Sequence, residues 1–378
     1  MRVLINVSNL RFGGGKTVGL NILTYYLNNS KIRQLLIIAP SSCGYEYLKD
    51  SYPKARFVFL SRIFNCSFLK VLTNYVILPF LSVTSKCDFV LSLGNIAFPV
   101  FNRPQFLLIH QSFLAYPDSL VWDRVRLDDK SFYIYLRRMI KFIKINLRYA
   151  SVIGVQTETM RSRISGLYDI PKDRILVIPN AVSFNCMKSD IVKEDTPSNQ
   201  IRLLFLSKYY PHKNFEILFE LAKRVKEFSL PIHITITIEK TENSGSMRFL
   251  EMVDKLDLNF FITNIGNVAI DDIERVYKEH DGLFLPTLLE SFSGTYIESM
   301  FFGKPIFTSK MDFAVDVCKD AAFYFDPFDP LDILNVVSEA FANPELIDLK
   351  VGLGRGYAMD AKSWNDIGHF IDERILKL

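Results

Sequence analysis

The sequence predicts two successive α/β domains, each a parallel sheet covered by helices on both faces. Three observations predict it. The chain has 378 residues, enough for two domains. Short apolar runs recur with helical stretches between them, and the runs are apolar throughout rather than alternating, as strands buried on both faces require. A polar, aromatic-free stretch, Lys188–Gln200, interrupts this series, after which it restarts. Two β/α series separated by such a stretch read as two Rossmann-like domains.

The elements follow in order. Strands are expected at Arg2–Val7, Leu35–Ala39, Phe57–Leu60, Phe89–Leu93, Phe106–Ile109, Val152–Val155 and Ile175–Ile178. After the gap they are expected at Arg202–Ser207, His233–Ile238, Phe260–Ile262, Gly282–Leu285, Pro305–Thr308 and Ala322–Phe325. Helices fit between them, among them Asn214–Glu227, Asp271–His280 and Tyr296–Phe302, and an amphipathic helix over Ser363–Leu378 closes the chain. The expected boundaries are 1–185 for the first domain, 186–200 for the linker and 201–360 for the second domain. The final helix, 361–378, is able to pack back on the first domain.

Composition excludes several classes. With 49% hydrophobic and 23% charged residues the chain is globular rather than disordered. Its five cysteines (Cys43, Cys66, Cys87, Cys186 and Cys318) form no CxxC pair, so free thiols are expected rather than a zinc site or a disulfide framework. The N-terminal run Met1–Val7 is too short for a signal peptide. Phe68–Val83 is strongly apolar but carries Lys70, Asn74 and Pro79 and falls short of a membrane span. The net charge of +4 hides a polarity: residues 1–180 carry +14 and residues 181–378 carry −10. Halves so different suggest different partners.

The first candidate site is the glycine loop Asn9–Thr17, between the first strand and a helix. Its GKT ending suggests a phosphate-binding P-loop, but Leu10 stands where that motif needs glycine. Two readings remain: a plain tight turn, or a loop in which Gly14 and Gly15 let backbone approach a phosphate or sugar. His110 ends the strand Phe106–Ile109, a position from which a side chain serves a ligand or merely supports the strand end.

The second candidate site is Pro286–Pro305, where a strand end, a Ser-Gly-Thr turn and a helix start succeed one another. Open α/β sheets bind ligands at such carboxyl edges. Free N–H groups near Ser293, Gly294 and Thr295 suit a diphosphate. Glu290 and Glu298 lie eight residues apart across the loop and the helix, so they are not a surface i,i+4 pair. Upstream, Lys208 and Lys213 flank another strand-end turn and supply charge suited to a leaving diphosphate. No D-x-D triplet occurs in the sequence, so the usual carboxylate device for a metal-bound diphosphate is missing, and no metal is expected.

These residues resemble a known family. Glu290–Glu298 matches the E-x7-E motif of retaining GT-B glycosyltransferases of family four, and the run ESFSGTYIESMFFGKPI resembles their O-antigen and capsule branch. Lys208, Lys213-Asn214, Ile178-Pro179-Asn180-Ala181-Val182 and Gly266-Asn267-Val268 add to the likeness. The sequence departs from the family pattern at Ser293, where glycine is usual, at Gly294, where an aliphatic residue is usual, and at Lys208, where arginine is common. A lysine provides a point charge without arginine's bidentate fork.

The resemblance implies two Rossmann-like domains facing across a cleft, and a nucleotide-diphosphate sugar bound mainly by the second. It implies that Lys208 and Lys213 stabilise the departing diphosphate, Ser293–Thr295 hold its phosphates, Glu290 binds donor-sugar hydroxyls and Glu298 the ribose, with the base near Gly266 and His110 close to the donor sugar. The remaining histidines (His212, His233, His280 and His369) receive no ligand role. It implies same-face transfer with retention of configuration, without the paired acid–base carboxylates of glycosidases.

Lys130–Ala150 reads as one helix whose Arg137, Arg138, Lys141, Lys144 and Arg148 recur at spacings of three or four. Such a basic face suits an anionic membrane surface or simply solvent above a core. Nucleic acid is not expected, because no recognition motif accompanies the charge. The family branch implies a glycan acceptor linked to a polyprenyl diphosphate, and a cytoplasmic protein held on the inner face of the membrane. A nucleotide-sugar 2-epimerase of the same fold and a non-catalytic assembly scaffold are the alternatives.

Overall fold

The computed structural model describes residues 1–377 except Cys66 and 182–199. Most of the expected linker, Val182 of the IPNAV run, Cys66 and Cys186 therefore lie outside the described residues. The chain forms two compact units. One comprises Met1–Pro117, Tyr135–Asn180 and Lys362–Leu378; the other comprises Asp118–Ile134 and Ala181–Ala361.

The first unit is built on seven strands: β1 (Arg2–Asn6), β2 (Gln34–Pro40), β3 (Arg56–Leu60), β4 (Phe89–Ser92), β5 (Gln105–Leu108), β6 (Val152–Val155) and β7 (Ile175–Val177). They are parallel and ordered β3-β2-β1-β4-β5-β6-β7. Strands β1, β4 and β5 are almost wholly buried, which explains their unbroken apolar sequences. The order reverses between β1 and β4, where Asn6 is level with Ser92. Just beyond that point the buried Asn6 carboxamide accepts from the Ser8 backbone N–H (3.1 Å) and hydroxyl (2.7 Å), which fixes the start of the glycine loop.

The second unit repeats the plan with six strands: β8 (Ile201–Phe205), β9 (Ile232–Ile236), β10 (Ile262–Asn264), β11 (Gly282–Leu285), β12 (Ile306–Ser309) and β13 (Ala322–Phe325). Their order, β10-β9-β8-β11-β12-β13, places the reversal between β8 and β11. Stacked phenylalanines fill the core behind it: Phe205 at the end of β8 stacks on Phe215 at 4.1 Å and meets Phe284 of β11 edge-on. Two parallel sheets of this kind make an α/β fold of two Rossmann-like units.

Three expectations are corrected. The strand over Phe260–Ile262 begins instead at Ile262; Phe261 belongs to the turn after the helix Ser244–Lys255, its N–H bonded to the Leu258 carbonyl and its ring buried. Its apolar character marks burial, not extension. The helix expected from Asn214 begins at Ile217, because Asn214 is left-handed at φ 63°. Asp118–Ile134, placed by sequence in the first domain, belongs to the second unit, where Arg248 pairs with Asp128 and Arg124 donates to Asn214.

The terminal helix Trp364–Ile375 belongs to the first unit. There the buried Asp372 accepts from the Tyr25 hydroxyl (2.9 Å) and the Tyr26 hydroxyl (2.7 Å) of the helix Gly13–Asn28. Cys43, Cys87 and Cys318 are free thiols. Among the described residues, no helix is long and apolar enough to cross a membrane.

Candidate active site

In the second unit the loops leaving β8 and β11 are adjacent because their strands are. They are tied at one atom: the His212 carbonyl accepts from the Leu288 N–H (2.7 Å) and from the Thr287 hydroxyl (3.1 Å). Left-handed Asn214 turns the chain, donates to the Pro327 carbonyl (2.9 Å) and accepts from the Arg124 guanidinium (2.6 Å). This frame points Lys213 at Glu290. The ammonium donates to Glu290 Oε1, which also accepts from the Thr287 hydroxyl at 3.3 Å. The two side chains are only 13% and 12% exposed, so each charge depends on the other.

His212, next to Lys213 in the chain, has its imidazole pushed down to about 3 by burial and then by the Lys213 charge. It is neutral and its ring stacks on Tyr210. Its role is structural, through its carbonyl.

Lys208 has a different partner. It donates to Glu242 Oε1 at 2.6 Å, and this hydrogen bond raises its pKa. Lys208 is 47% exposed while Glu242 is 14% exposed, and Glu242 Oε2 is buried with no hydrogen-bond partner. A buried carboxylate oxygen without a donor is costly, and a ligand hydroxyl would satisfy it.

The helix Gly294–Phe301 opens at the same carboxyl edge. Its N-cap, Ser293, makes no capping hydrogen bond, since its hydroxyl pairs with that of Thr295 at 2.8 Å, and no acidic residue lies in the first turn. The first-turn N–H groups therefore have no side-chain partner and offer a site for an anion. Gly294 is exposed and a Cβ there would meet open space beside Glu298. Glu298 is raised to about 7 by burial, against the pull of a hydrogen bond from the Tyr277 hydroxyl at 3.4 Å. Gly266 lies in the loop after β10 at φ 73°, a conformation that favours glycine. Its N–H donates to Asn264, whose side chain also closes the β9 and β10 loop ends together.

The first unit's reversal point has other chemistry. The helix begins at Gly13, so Gly14 and Gly15 occupy its first turn rather than a free loop. A Cβ at Gly15 would lie 3.5 Å from the His110 ring, an ordinary van der Waals contact, so the helix start packs beside the imidazole. Asn95 Oδ1 accepts from the His110 backbone N–H (2.6 Å), and Nε2 faces the Leu93 carbonyl at 3.1 Å. That contact assigns the proton to Nε2; Nδ1 is buried without a hydrogen bond, and the Gln156 side chain also acts on the ring. Burial holds the imidazole down at about 4, so it is neutral near pH 7.

Arg137, Arg138, Lys141, Lys144 and Arg148 are all exposed along the helix Lys130–Asn146 and the turn after it. One apolar side of this helix packs into the unit, where Leu136 and Ile143 are buried and Met139, Ile140 and Phe142 pack on the core, while Phe132, Ile134, Tyr135 and Ile145 are exposed.

The structure thus brings together Lys213 and Glu290, and sets Ser293–Thr295 and Glu298 on the helix that follows. It gives Lys208 to Glu242. The sequence reading missed Glu242, Thr287, Tyr277, Asn95 and the Arg124–Asn214 bond. Glu242 was within reach, because strands β8 and β9 pair and their exit loops must adjoin.

Residues 187–349 match the family model described as glycosyl transferases group 1. No curated protein matches the chain by sequence. Among solved structures, HepE of Anabaena in complex with UDP and glucose shares the fold at TM-score 0.72 and 14% identity, over the full length of both chains. A glycosyltransferase from Rickettsia africae aligns at TM-score 0.73 and 16% identity, over 100% of this chain and 98% of its own. The lipopolysaccharide outer core galactosyltransferase WaaB, in its apo form, aligns at TM-score 0.69 and 16% identity over both full chains. The fold is that of GT-B glycosyltransferases, the second unit carries a glycosyltransferase group 1 domain, and the chain is a glycosyltransferase.

Proposed function

We propose that the protein transfers a hexose from a nucleoside diphosphate sugar to a glycan acceptor linked to a polyprenyl diphosphate, with retention of anomeric configuration, in cell-surface polysaccharide (O-antigen or capsule) synthesis. The observation that carries this reading is the mostly buried Lys213–Glu290 pair beside the uncapped start of the helix Gly294–Phe301. Solved structures of the same fold hold UDP and UDP-glucose, which supports a nucleotide-sugar donor.

In this reading the donor's diphosphate lies on the N–H groups of Ser293–Thr295, where the helix dipole favours negative charge. Lys213, with Lys208 at the rim, stabilises the charge that grows on the diphosphate as the glycosidic bond breaks. Glu290 accepts hydrogen bonds from sugar hydroxyls and orients the ring; it is not a nucleophile. Glu298 binds the ribose hydroxyls and the base lies near Gly266. The acceptor hydroxyl attacks on the face the diphosphate leaves, and its proton passes to the departing phosphate oxygen. His110, neutral, accepts a hydrogen bond from a sugar hydroxyl at Nδ1. Lysines and a helix start take the place of a metal ion, and the protein acts at the inner face of the cytoplasmic membrane, with the basic residues Arg137–Arg148 toward anionic lipid.

The test is a panel of UDP-, GDP- and dTDP-sugars with a lipid-linked acceptor, in chelator, read by mass spectrometry and by the anomeric signals of the product. Release of nucleoside diphosphate from one donor with a retained glycosidic product supports the proposal. Recovery of an epimerised nucleotide sugar, or no turnover with any donor, overturns it. Loss of turnover in chelator overturns the metal-free part alone.

A further inference from the structure

The apolar segment Phe68–Val83, too short to span a bilayer, finds a different use. It folds as the helices Ser67–Leu72 and Leu78–Thr84 joined by a π-helical turn, Thr73–Ile77. One side packs inward: Asn74, Leu78 and Ser82 are buried, and the Asn74 amide pins the turn by donating to the Ala97 carbonyl and to Asn146 Oδ1, both at 3.1 Å. The other side is apolar and uncovered. Phe68 is 76% exposed, Val76 53%, Phe80 64% and Val83 50%, with Val71 and Leu72 also exposed.

The π turn makes these residues one stripe. An uninterrupted α-helix would carry Phe80 roughly 120° around the axis from Phe68. The wider turn advances less per residue and returns Val76, Phe80 and Val83 to the side of Phe68 and Leu72. The exposed Ile63, in the turn before the helix, extends the apolar surface. A contiguous exposed patch of this kind on a soluble unit marks an interaction surface.

The charge around it names the partner. Between Asp50 and Asp118 the sequence holds one carboxylate, Asp88, and that residue is paired with Arg2 at 2.8 Å. Lys54, Arg56, Arg62 and Lys86 in the same stretch are exposed. Two copies of the chain meeting on this face would bring cations against cations. An anionic membrane offers apolar depth for the stripe and negative headgroups for its border. We propose that the stripe Phe68, Leu72, Val76, Phe80 and Val83 inserts into the headgroup–acyl boundary of an anionic bilayer and is the membrane-docking face of the first unit. This deepens the lipid-linked acceptor reading, and it places the insertion site on this stripe rather than on the basic helix Lys130–Asn146, whose Leu136, Met139, Ile140 and Ile143 are committed to the core.

The experiment uses the full chain and vesicles of phosphatidylcholine, alone or mixed with phosphatidylglycerol, without donor or acceptor. Phe80→Trp and Tyr135→Trp each add a reporter to the native Trp122 and Trp364, which are both buried. Acyl-brominated lipid is expected to quench Phe80→Trp in the phosphatidylglycerol mixture and to leave Tyr135→Trp near the wild-type signal. Phe68→Ser with Phe80→Ser is expected to weaken vesicle binding by roughly tenfold or more, with the far-UV circular dichroism unchanged. Absence of quenching at position 80, or quenching at position 135 alone, overturns the proposal. So does a concentration-dependent dimer abolished by the serine variant in a protein that ignores vesicles. A protein that glycosylates a soluble acceptor yet fails the vesicle test loses this surface and not its activity.

Discussion

The two units share one plan of strands and use it for opposite chemistry. Each has a parallel sheet whose order reverses beside its first strand, at β1/β4 and at β8/β11. In the second unit that point holds charged pairs: Lys213 with Glu290, and Lys208 with Glu242. In the first it holds a neutral imidazole and a small cavity of about 20 Å³ lined by Arg11, Lys70, Asn9 and Asn74, with no carboxylate in its wall. The lesson is that the topology supplies an address and the side chains choose the occupant. The acid surplus of the second half is compatible with an anionic ligand because local pairs and a helix start set the field there, not the net charge.

The largest effect expected from breaking this contrast is at the second unit's buried pair. Lys213→Ala removes both the cation and the partner of Glu290 and should lower kcat by roughly a hundred- to a thousandfold, measured as nucleoside diphosphate release. Lys208→Ala, at a half-exposed residue, should cost about tenfold by the same assay. Equal losses at the two lysines would erase the distinction between a core pair and a rim pair.

The first unit's histidine sharpens the contrast through pH. With its imidazole at about 4, His110 titrates well below the working range. The pH profile of kcat should therefore carry no His110 break between about 5 and 8, while His110→Ala lowers kcat by roughly ten- to a hundredfold and His110→Gln recovers part of it. Its lowered pKa favours the neutral folded form, so its share of stability is present above about 6.5 and is lost as pH falls toward 4. An activity break near pH 6.5 that vanishes in His110→Gln would contradict this.

Glu298 runs the other way. Its carboxyl is raised to about 7, so its contribution to stability is full below about 4.5 and is lost as pH rises through 7. Ribose hydroxyls favour the ionised form, so nucleotide affinity should rise several-fold from pH 6 to 8, and Glu298→Gln should flatten that dependence in a titration calorimeter. The smallest expected effect on activity is at Asp372. Asp372→Asn disturbs the two tyrosine hydrogen bonds and should cost about 1–3 kcal/mol of stability, seen as a lower thermal midpoint with nucleotide affinity unchanged.

Much of the fold was legible because parallel strands buried on both faces write themselves as unbroken apolar runs; all thirteen strands lie at or within two residues of the expected runs. The strand at β10 was misplaced because Phe261 is apolar for the sake of a buried turn position. Asp118–Ile134 was assigned to the wrong unit because its place depends on Arg124 reaching Asn214, a contact with no local trace. Glu290 and Glu298 stood out through their spacing about a helix start. Their partners did not: Lys213 lies 77 residues from Glu290, and Glu242 sits in a polar turn that reads as ordinary solvent-facing sequence. Pairings set by neighbouring loop ends become visible once the strand order is known.

The most direct measurement of the central claim is calorimetric titration of UDP, GDP and dTDP into the wild-type protein, Lys213→Ala and Asp372→Asn. The account predicts that one nucleoside diphosphate binds the wild type and Asp372→Asn alike, and binds Lys213→Ala at least tenfold more weakly. Equal binding to wild type and Lys213→Ala, or binding to none of the three proteins, would contradict it.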